Sequence, residues 1–329
     1  MNPPSSFSIG PLDIHFYGVI IALGLVLAVV YGMRRQKEFG MRGDDIIDGV
    51  LWIVPVAIIF ARLYYCVFEW EHYASNPISI LYIWNGGLAI YGGVIGAALG
   101  VIVYCKIKKL SLGAVLDLVA LGFLIGQSIG RWGNFMNREA FGAVTDSFLK
   151  MGLFNTNTGS FEYYHPTFLY ESLWNAVGFV ALHFLSKKRQ YDGQIALGYV
   201  AWYGLGRAMI EGLRMDSLYW GPFRVSQMLA AVTCVIAVAV LAWQSFRKHD
   251  RENLFANRVL AAEAAAAAAE AEEVAEEVPA EEPAEEVTEE TVEAVAEETV
   301  EAVAEETVEA VAEEAVEEAV AEETVKEVE

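Results

Sequence analysis

The sequence predicts an all-α polytopic membrane protein with about seven transmembrane helices, and three observations lead to that fold class. The first is a series of apolar runs of roughly 17–22 residues, the length that crosses a bilayer core. The second is that these runs have no polar face, unlike the amphipathic helices of a large soluble protein. The third is an alternation of basic and non-basic connections. The runs lie near residues 17–33, 49–68, 87–105, 113–129, 166–185, 194–212 and 225–245.

The charges of the connecting segments predict the orientation. Basic residues follow the first, third, fifth and seventh runs, whereas the N-terminus has none and the connection after the second run carries Glu69 and Glu71. Because Lys and Arg are enriched in cytoplasmic loops, we expect the N-terminus outside and the C-terminus in the cytoplasm. Five arginines near the outer side depart from this alternation, which indicates another role for them. They are Arg131, Arg138, Arg207, Arg214 and Arg224.

Charge also divides the chain at about residue 258. The first 258 residues carry 21 Lys and Arg against 17 Asp and Glu, whereas residues 259–329 carry 27 Glu and one Lys. The eight-residue unit TVEAVAEE occurs three times from residue 291. Eight residues advance a helix by about 80°, so the valines form no continuous stripe. We expect a membrane domain over 1–258 and an acidic cytoplasmic tail over 259–329, partly helical or disordered and interrupted at Pro279 and Pro283.

The most informative stretch is GRWGNFMNRE, which begins at Gly130 where an apolar run meets water. Ionisable groups at membrane depth are costly, so they indicate a functional site that faces a protein interior or a water-filled cavity. The planar guanidinium of Arg131 suits paired hydrogen bonds to a phosphate. Asn134, Asn137 and Glu139 could hold the arginine or substrate hydroxyls. The alternative is an interfacial loop whose arginines extend to the membrane surface.

Two further stretches lie at the outer ends of predicted helices. HFYG begins at His15 and opens the first run, where an interfacial aromatic belt would also explain Tyr17. Residues 84–96 place glycine pairs on both sides of Tyr91, the second pair beginning at Gly92. Such pairs permit close packing of two helices or a broken helix that lines a cavity.

Two carboxylates fall inside later apolar runs. Glu171 lies about one turn inside the fifth run after His165, so it must pair with a cation or face water. Arg207 and Glu211 are four residues apart and share a helical face. A salt bridge that only holds the bundle together is the alternative for this pair. Between the clusters, residues 148–164 contain two aromatic runs separated by NTNTG, which predicts a small β-hairpin in a loop subdomain on the outer face.

Other kinds of catalytic site find no support in the sequence. Cys66, Cys105 and Cys234 lie in separate apolar runs without metal or redox spacing, which indicates small buried residues. There is no serine triad spacing, nucleotide loop or flavin fingerprint. The remaining arginines, carboxylates, asparagines and phenols suit binding a phosphorylated lipid and displacing its phosphate, without a cofactor or metal.

Together these motifs resemble the phosphatidylglycerol–prolipoprotein diacylglyceryl transferase family, in order, over roughly residues 1–250. The resemblance implies an enzyme of the bacterial plasma membrane whose partners are phosphatidylglycerol, prolipoprotein signal peptides with a lipobox cysteine and membrane lipids, and not nucleic acid. It implies transfer of the diacylglyceryl group to the cysteine thiol, with a thioether formed and glycerol phosphate released. The segments that carry it are residues 130–142, 15–18, 85–93, 165–171 and 203–211.

The resemblance also implies site residues and leaves the base open. Many family members carry a histidine, proposed as the base, where this chain has Tyr91. A phenol has an ordinary pKa of about 10 against about 8.5 for a thiol, so it is a poor base at neutral pH. We predict catalytic roles for Arg131, Arg207, Tyr91 and Glu139. We predict substrate binding by Arg131, Asn134, Asn137, Tyr17, His15, Gly92, Glu171 and Glu211.

Two other functions fit parts of this inventory. A transporter or channel with an outer polar vestibule is disfavoured because the body has no internal repeat and its polar motifs cluster at one membrane side. A lipid-headgroup transferase with a different acceptor, such as a sugar or another lipid, is the second alternative.

Overall fold

The computed structural model describes residues 4–10, 12–155, 159–215 and 219–277, and this part of the chain is mostly helical. Its helices are α1 (Phe16–Arg35), α2 (Gly43–Phe68), α3 (Trp70–Ala74), α4 (Ile90–Lys108), α5 (Leu112–Asn137), α6 (Thr167–Ser186), α7 (Gln194–Ile210), α8 (Val225–Ser245) and α9 (Phe255–Glu277). The described residues also form three antiparallel strand pairs, one before α1 and two between helices: β1 (Ser6–Ile9) with β2 (Leu12–His15), β3 (Met151–Asn155) with β4 (Ser160–Tyr164), and β5 (Tyr219–Trp220) with β6 (Phe223–Arg224).

Six of the described helices are long and apolar enough to cross a membrane: α1, α2, α4, α5, α6 and α8. The prediction of a polytopic helical membrane protein is confirmed at this level. The sixth predicted run, near residues 194–212, forms α7, which has 17 residues and packs against α5, α6 and α8. It stops at Ile210, before the end predicted for the run, because Glu211–Leu213 tightens into a 3-10 turn. The predicted hairpin is also present, as strands β3 and β4.

Close helix contacts in the bundle occur at glycines. Gly24 of α1 faces the backbone of Gly126 in α5, and a Cβ on Gly24 would lie 3.3 Å from that backbone. Gly92 and Gly96 of α4 face α2, where a Cβ on Gly96 would lie 2.6 Å from the Phe60 Cβ. Small residues at such contacts let backbones approach closely, which is how helices gain packing energy in a membrane.

A reciprocal tryptophan pair, Trp174 with Trp202, joins α6 to α7. The Trp174 Nε1 donates to the Trp202 carbonyl at 3.0 Å, and the Trp202 Nε1 donates to the Trp174 carbonyl at 2.9 Å. The two rings stack with their centroids 4.5 Å apart. Each indole covers a glycine of the other helix, Gly178 or Gly206, where any Cβ would overlap the ring. This pair fixes the register of α6 against α7.

Buried polar contacts close one end of the bundle. Asp117 of α5 is fully buried and accepts hydrogen bonds from the backbone nitrogens of Gly193 and Ala196, at 2.9 and 2.8 Å. It therefore satisfies amide groups at the start of α7 that have no partner within that helix. At the same end, Arg35 of α1 donates to the Ser186 Oγ of α6 at 3.0 Å. These contacts hold α1, α5, α6 and α7 together away from the signature stretch.

The chain divides into two compact units, residues 1–267 and 268–329. Within the first unit, the segment after α8 is packed and not loose. Leu254 and Ala256 are buried, and the Phe255 amide donates to the Asp192 Oδ2 at 3.0 Å. Of the second unit the structure describes residues 268–277, the end of α9. The predicted repeats and the two prolines of the tail lie outside the described residues.

Candidate functional site

The signature stretch forms the last turns of α5. The sequence placed the helix end at residue 129, but the helix continues to Asn137 because its glycines pack against α1 and leave the backbone helical. Gly130 faces Ile21, and a Cβ on Gly133 would lie 2.8 Å from the Tyr17 ring. Tyr17 is thus in contact with the signature helix. The helix ends where Arg138 takes a left-handed conformation with φ of 54°.

Glu171 is the centre of the candidate site, and arginines from three segments converge on it. The Arg131 Nε of α5 lies 2.9 Å from the Glu171 Oε2. Arg207 of α7 donates from Nη1 to both carboxylate oxygens, at 3.2 and 3.3 Å. The Nη1 of Arg214 lies 3.5 Å from Oε1. The Glu171 side chain is only 6% exposed, so these arginines compensate a carboxylate that has lost most of its water.

Glu211 supplies a second buried carboxylate. The Arg207 Nη2 lies 2.7 Å from the Glu211 Oε2, and the Arg214 Nε lies 3.9 Å from the same oxygen. The predicted pairing of Arg207 with Glu211 is therefore present. It is not an isolated ion pair, because Arg207 bridges Glu211 to Glu171.

Hydrogen bonds between α5 and α6 hold Glu171 in place. The Ser128 Oγ donates to the Ser172 carbonyl at 2.9 Å, and the Ser172 Oγ donates to the Ser128 carbonyl at 2.8 Å. The Trp132 Nε1 also donates to the Ser172 Oγ, at 3.2 Å. The contacts of Ser172 with α5 and of Trp174 with α7 therefore fix the turn of α6 that carries Glu171.

Backbone hydrogen bonds bring three of the sequence motifs together. The Gly142 amide donates to the His165 carbonyl at 2.9 Å, and the His165 amide donates to the Ala143 carbonyl at 3.0 Å. The Ala143 amide donates to the Leu213 carbonyl at 3.1 Å. The end of the signature stretch therefore lies between the start of α6 and the turn after α7, which explains how segments far apart in sequence form one site.

The asparagines and Glu139 of the signature form a chain of contacts that starts at Arg131. The Arg131 Nη1 lies 3.4 Å from the Asn134 Oδ1. The Asn134 Nδ2 donates to the Glu139 Oε1 at 2.8 Å, and the Asn137 Nδ2 lies 3.5 Å from the same oxygen. Glu139 and Asn137 are exposed. This arrangement orients one side of the guanidinium, whereas the Arg131 Nη2 makes no hydrogen bond to any described residue.

Other predicted site residues lie outside this cluster. Tyr91 is 47% exposed near the start of α4, and its ring lies 6.5 Å from that of Tyr64. Gly92 is buried against the backbone of α2, so helix packing accounts for its small size. His15 is exposed at the end of β2. Among the described residues, no hydrogen bond, ion pair or ring contact joins these three to the arginines.

Two arginines were not predicted as site residues. Arg214 contacts both buried carboxylates, and its departure from the charge alternation was the available signal. Arg62 of α2 is buried and donates to the carbonyls of Ile80, Gly86 and Gly87 at 2.7–2.9 Å. It holds the loop that precedes α4, beside a cavity of about 250 Å³ that His72 also lines. A charged residue within an apolar run was the signal for Arg62.

Helices of membrane-spanning length with buried arginine–carboxylate pairs at one end are typical of a multi-pass membrane protein with a functional site among its helices. The sequence matches the family described as prolipoprotein diacylglyceryl transferase over residues 4–243. The chain belongs to that family, and it is a transferase of the bacterial plasma membrane.

Relatives named phosphatidylglycerol–prolipoprotein diacylglyceryl transferase occur in several bacteria. The one from Listeria monocytogenes serotype 4b is 43% identical over 250 residues, which cover 74% of this chain and 90% of the relative. The one from Bacillus licheniformis is 44% identical over 255 residues, with 74% and 93% covered. The one from Limosilactobacillus reuteri strain DSM 20016 is 44% identical over 246 residues, with 72% and 90% covered.

Proposed function

We propose that this enzyme transfers the diacylglyceryl group of phosphatidylglycerol to the lipobox cysteine of prolipoproteins. The thiolate attacks the sn-3 carbon of the lipid glycerol, a carbon–sulfur bond forms, and the bond from that carbon to the phosphate oxygen breaks. The electron pair leaves with glycerol phosphate, and the thiol proton passes to a base. The product is a thioether, and the step is the first of lipoprotein maturation.

The orientation of Arg131 is the observation that carries this proposal. The Nε and Nη1 of its guanidinium contact Glu171 and Asn134, while Nη2 makes no hydrogen bond to the described residues. The side chain is 21% exposed, so an anion can reach it. Preorganised cations in a site of low dielectric stabilise charge as it develops on a leaving phosphate. Arg207, held by two carboxylates, is placed to act on the same group.

The direct test is transfer by the purified protein in detergent. It is incubated with phosphatidylglycerol and a synthetic precursor peptide, and peptide mass is measured. We expect a gain equal to one diacylglyceryl group on the peptide with the lipobox cysteine and none on the same peptide with serine there. Transfer to both peptides, or to neither, would contradict the proposal.

The site and the tail are proposed to lie on opposite sides of the membrane. The ends of α5 and α7 and the start of α6 carry the arginine cluster, which we place toward the outer leaflet. The opposite ends carry the basic connections, which we place in the cytoplasm together with the acidic tail. A tail on the far side from the chemistry has no part in transfer.

Deletion of residues 259–329 is therefore expected to leave transfer within about twofold of the full chain. Within the first unit, Arg42 and Glu263 form an exposed ion pair 3.5 Å apart, and such pairs contribute about 0–1 kcal/mol. A matched deletion of residues 250–329 also removes buried Leu254, worth about 1.5–3 kcal/mol, and should lower the melting temperature. A large loss of activity in the shorter deletion, at equal membrane abundance, would show that the tail takes part.

Tyr91 is proposed to contact substrate without being the sole base. Its ring is half exposed near the start of α4. Among the described residues, no hydrogen bond or ring contact joins it to the arginine cluster. Tyr91→Phe is expected to keep measurable transfer with an unchanged pH profile, and Tyr91→His should also be active. The measurement is peptide lipidation across pH for the three proteins. If Tyr91→Phe were inactive while Tyr91→His restored transfer with a lower pH optimum, position 91 would be the base.

A further inference from the structure

Two aligned rows of side chains run from the arginines into the membrane part of the bundle. Gln127 and Phe123 lie one and two turns before Arg131 on the same face of α5. Tyr203 and Tyr199 lie one and two turns before Arg207 on α7. The Phe123 and Tyr199 rings stack at 6.0 Å, and the Tyr199 and Tyr203 rings stack at 5.7 Å. The two rows therefore face each other and continue the site inward.

Some hydrogen-bonding groups of this region have no partner among the described residues. The Gln127 Nε2 donates to the Tyr199 hydroxyl at 2.8 Å, and this is the one hydrogen bond the carboxamide makes to described residues. A carboxamide can make four. The second Nε2 proton and the Tyr199 hydroxyl proton meet no described acceptor, and the Gln127 Oε1 is buried without a described partner. Unused polar groups in a membrane span are costly and indicate a ligand.

Depth and exposure indicate which part of a lipid reaches these groups. Gln127 lies one turn, about 6 Å along the helix, inward of Arg131. In a glycerophospholipid the two ester carbonyls are the next polar groups after the phosphate, toward the acyl chains. They are acceptors only, and the Gln127–Tyr199 pair has two donor protons to give. Phe123 is 52% exposed beside the pair, so this region reaches the lipid-facing surface.

We propose that Tyr199 and Gln127 form a subsite that donates hydrogen bonds to the ester carbonyls of the lipid donor. The subsite makes the enzyme selective for diacyl over dialkyl ether lipids, which lack these carbonyl oxygens. This proposal rests on the proposed function, because it takes phosphatidylglycerol as the donor.

The experiment compares kcat/KM for diacyl phosphatidylglycerol with that for its dialkyl ether analogue, with the same peptide acceptor. We expect the unaltered enzyme to prefer the diacyl lipid about five- to tenfold, as one or two hydrogen bonds would give. Tyr199→Phe removes one of the two donors and should lower the ratio at least twofold, mainly by slowing the diacyl reaction. The matched control is Tyr104→Phe. Tyr104 lies in α4, and its phenol donates to the Asp45 carbonyl of α2 at 2.8 Å. This variant should keep the ratio.

The outcomes separate this subsite from the proposed function. Failure of the unaltered enzyme to use either lipid would overturn the proposed function. Equal use of both lipids, or an unchanged ratio in Tyr199→Phe, would overturn the subsite alone. An equal loss of rate with both lipids would mean that the phenol acts on the peptide or on packing. If Tyr199→Phe does not fold, Gln127→Leu decides, since it removes one donor and should lower the ratio at least twofold.

Discussion

Arg131→Lys is expected to reduce transfer by about 100-fold or more, because loss of one preorganised charge donor typically costs that much. In the structure the Arg131 Nε contacts Glu171 and its Nη1 contacts Asn134, and we propose that the third nitrogen, Nη2, binds the lipid phosphate. A lysine ammonium is a single point of charge and cannot hold both partners while gripping an anion. The measurement is kcat/KM for peptide lipidation by purified protein.

Arg138→Lys is the matched control, since Arg138 is an exposed arginine seven residues further along. It should retain nearly full activity. Near-normal turnover of folded Arg131→Lys would remove Arg131 from the role of phosphate ligand. Equal losses in both variants would indicate a general requirement for arginine in the signature stretch.

Glu171→Gln should have the second large effect, on both stability and activity. The amide keeps the shape of the carboxylate but removes the charge that Arg131, Arg207 and Arg214 share. Breaking a buried ion pair by removing one partner costs about 3–5 kcal/mol, because the remaining charge is left in a poor environment. We expect a lower melting temperature in detergent and a large loss of kcat/KM, since the arginines also lose the group that orients them.

The control for this variant is Glu71→Gln, which neutralises an exposed carboxylate in α3 and should change neither property. A Glu171→Gln enzyme with unchanged melting temperature and rate would show that the cluster tolerates loss of its central charge. A variant that is stable but inactive would instead assign Glu171 to orienting the arginines, with little part in holding the bundle.

Much of the fold could be predicted because the membrane environment demands long apolar runs. The run from residue 17 became α1, and His165 with Pro166 marked the start of α6. The extent of α5 could not be predicted, because the polar residues after Gly130 look like the end of a span. Two of them, Arg131 and Trp132, contact polar groups of α6, and such neighbours are not encoded in local composition.

The sequence predicted which types of residue form the site, but it predicted few of the contacts between them. The i,i+4 spacing of Arg207 and Glu211 was sufficient to predict their contact. Glu171 needed a partner, but helical periodicity tells which face a side chain occupies and not which helix lies opposite. Its contact with Arg131, forty positions earlier in the chain, depends on how α5 packs against α6. The contacts of Arg214 with Glu171 and Glu211 depend in the same way on the turn after α7.

The tryptophan pair between α6 and α7 restricts how this part of the protein can change in evolution. Each indole occupies the space above a glycine of the other helix, Trp174 above Gly206 and Trp202 above Gly178. A larger residue at either glycine is accessible only after the facing tryptophan has been replaced, because the reverse order passes through a clashing intermediate. Each contact can therefore change only through two substitutions in a fixed order, first of the tryptophan and then of the glycine. The order of past substitutions limits these four positions, in addition to the stability of the folded protein.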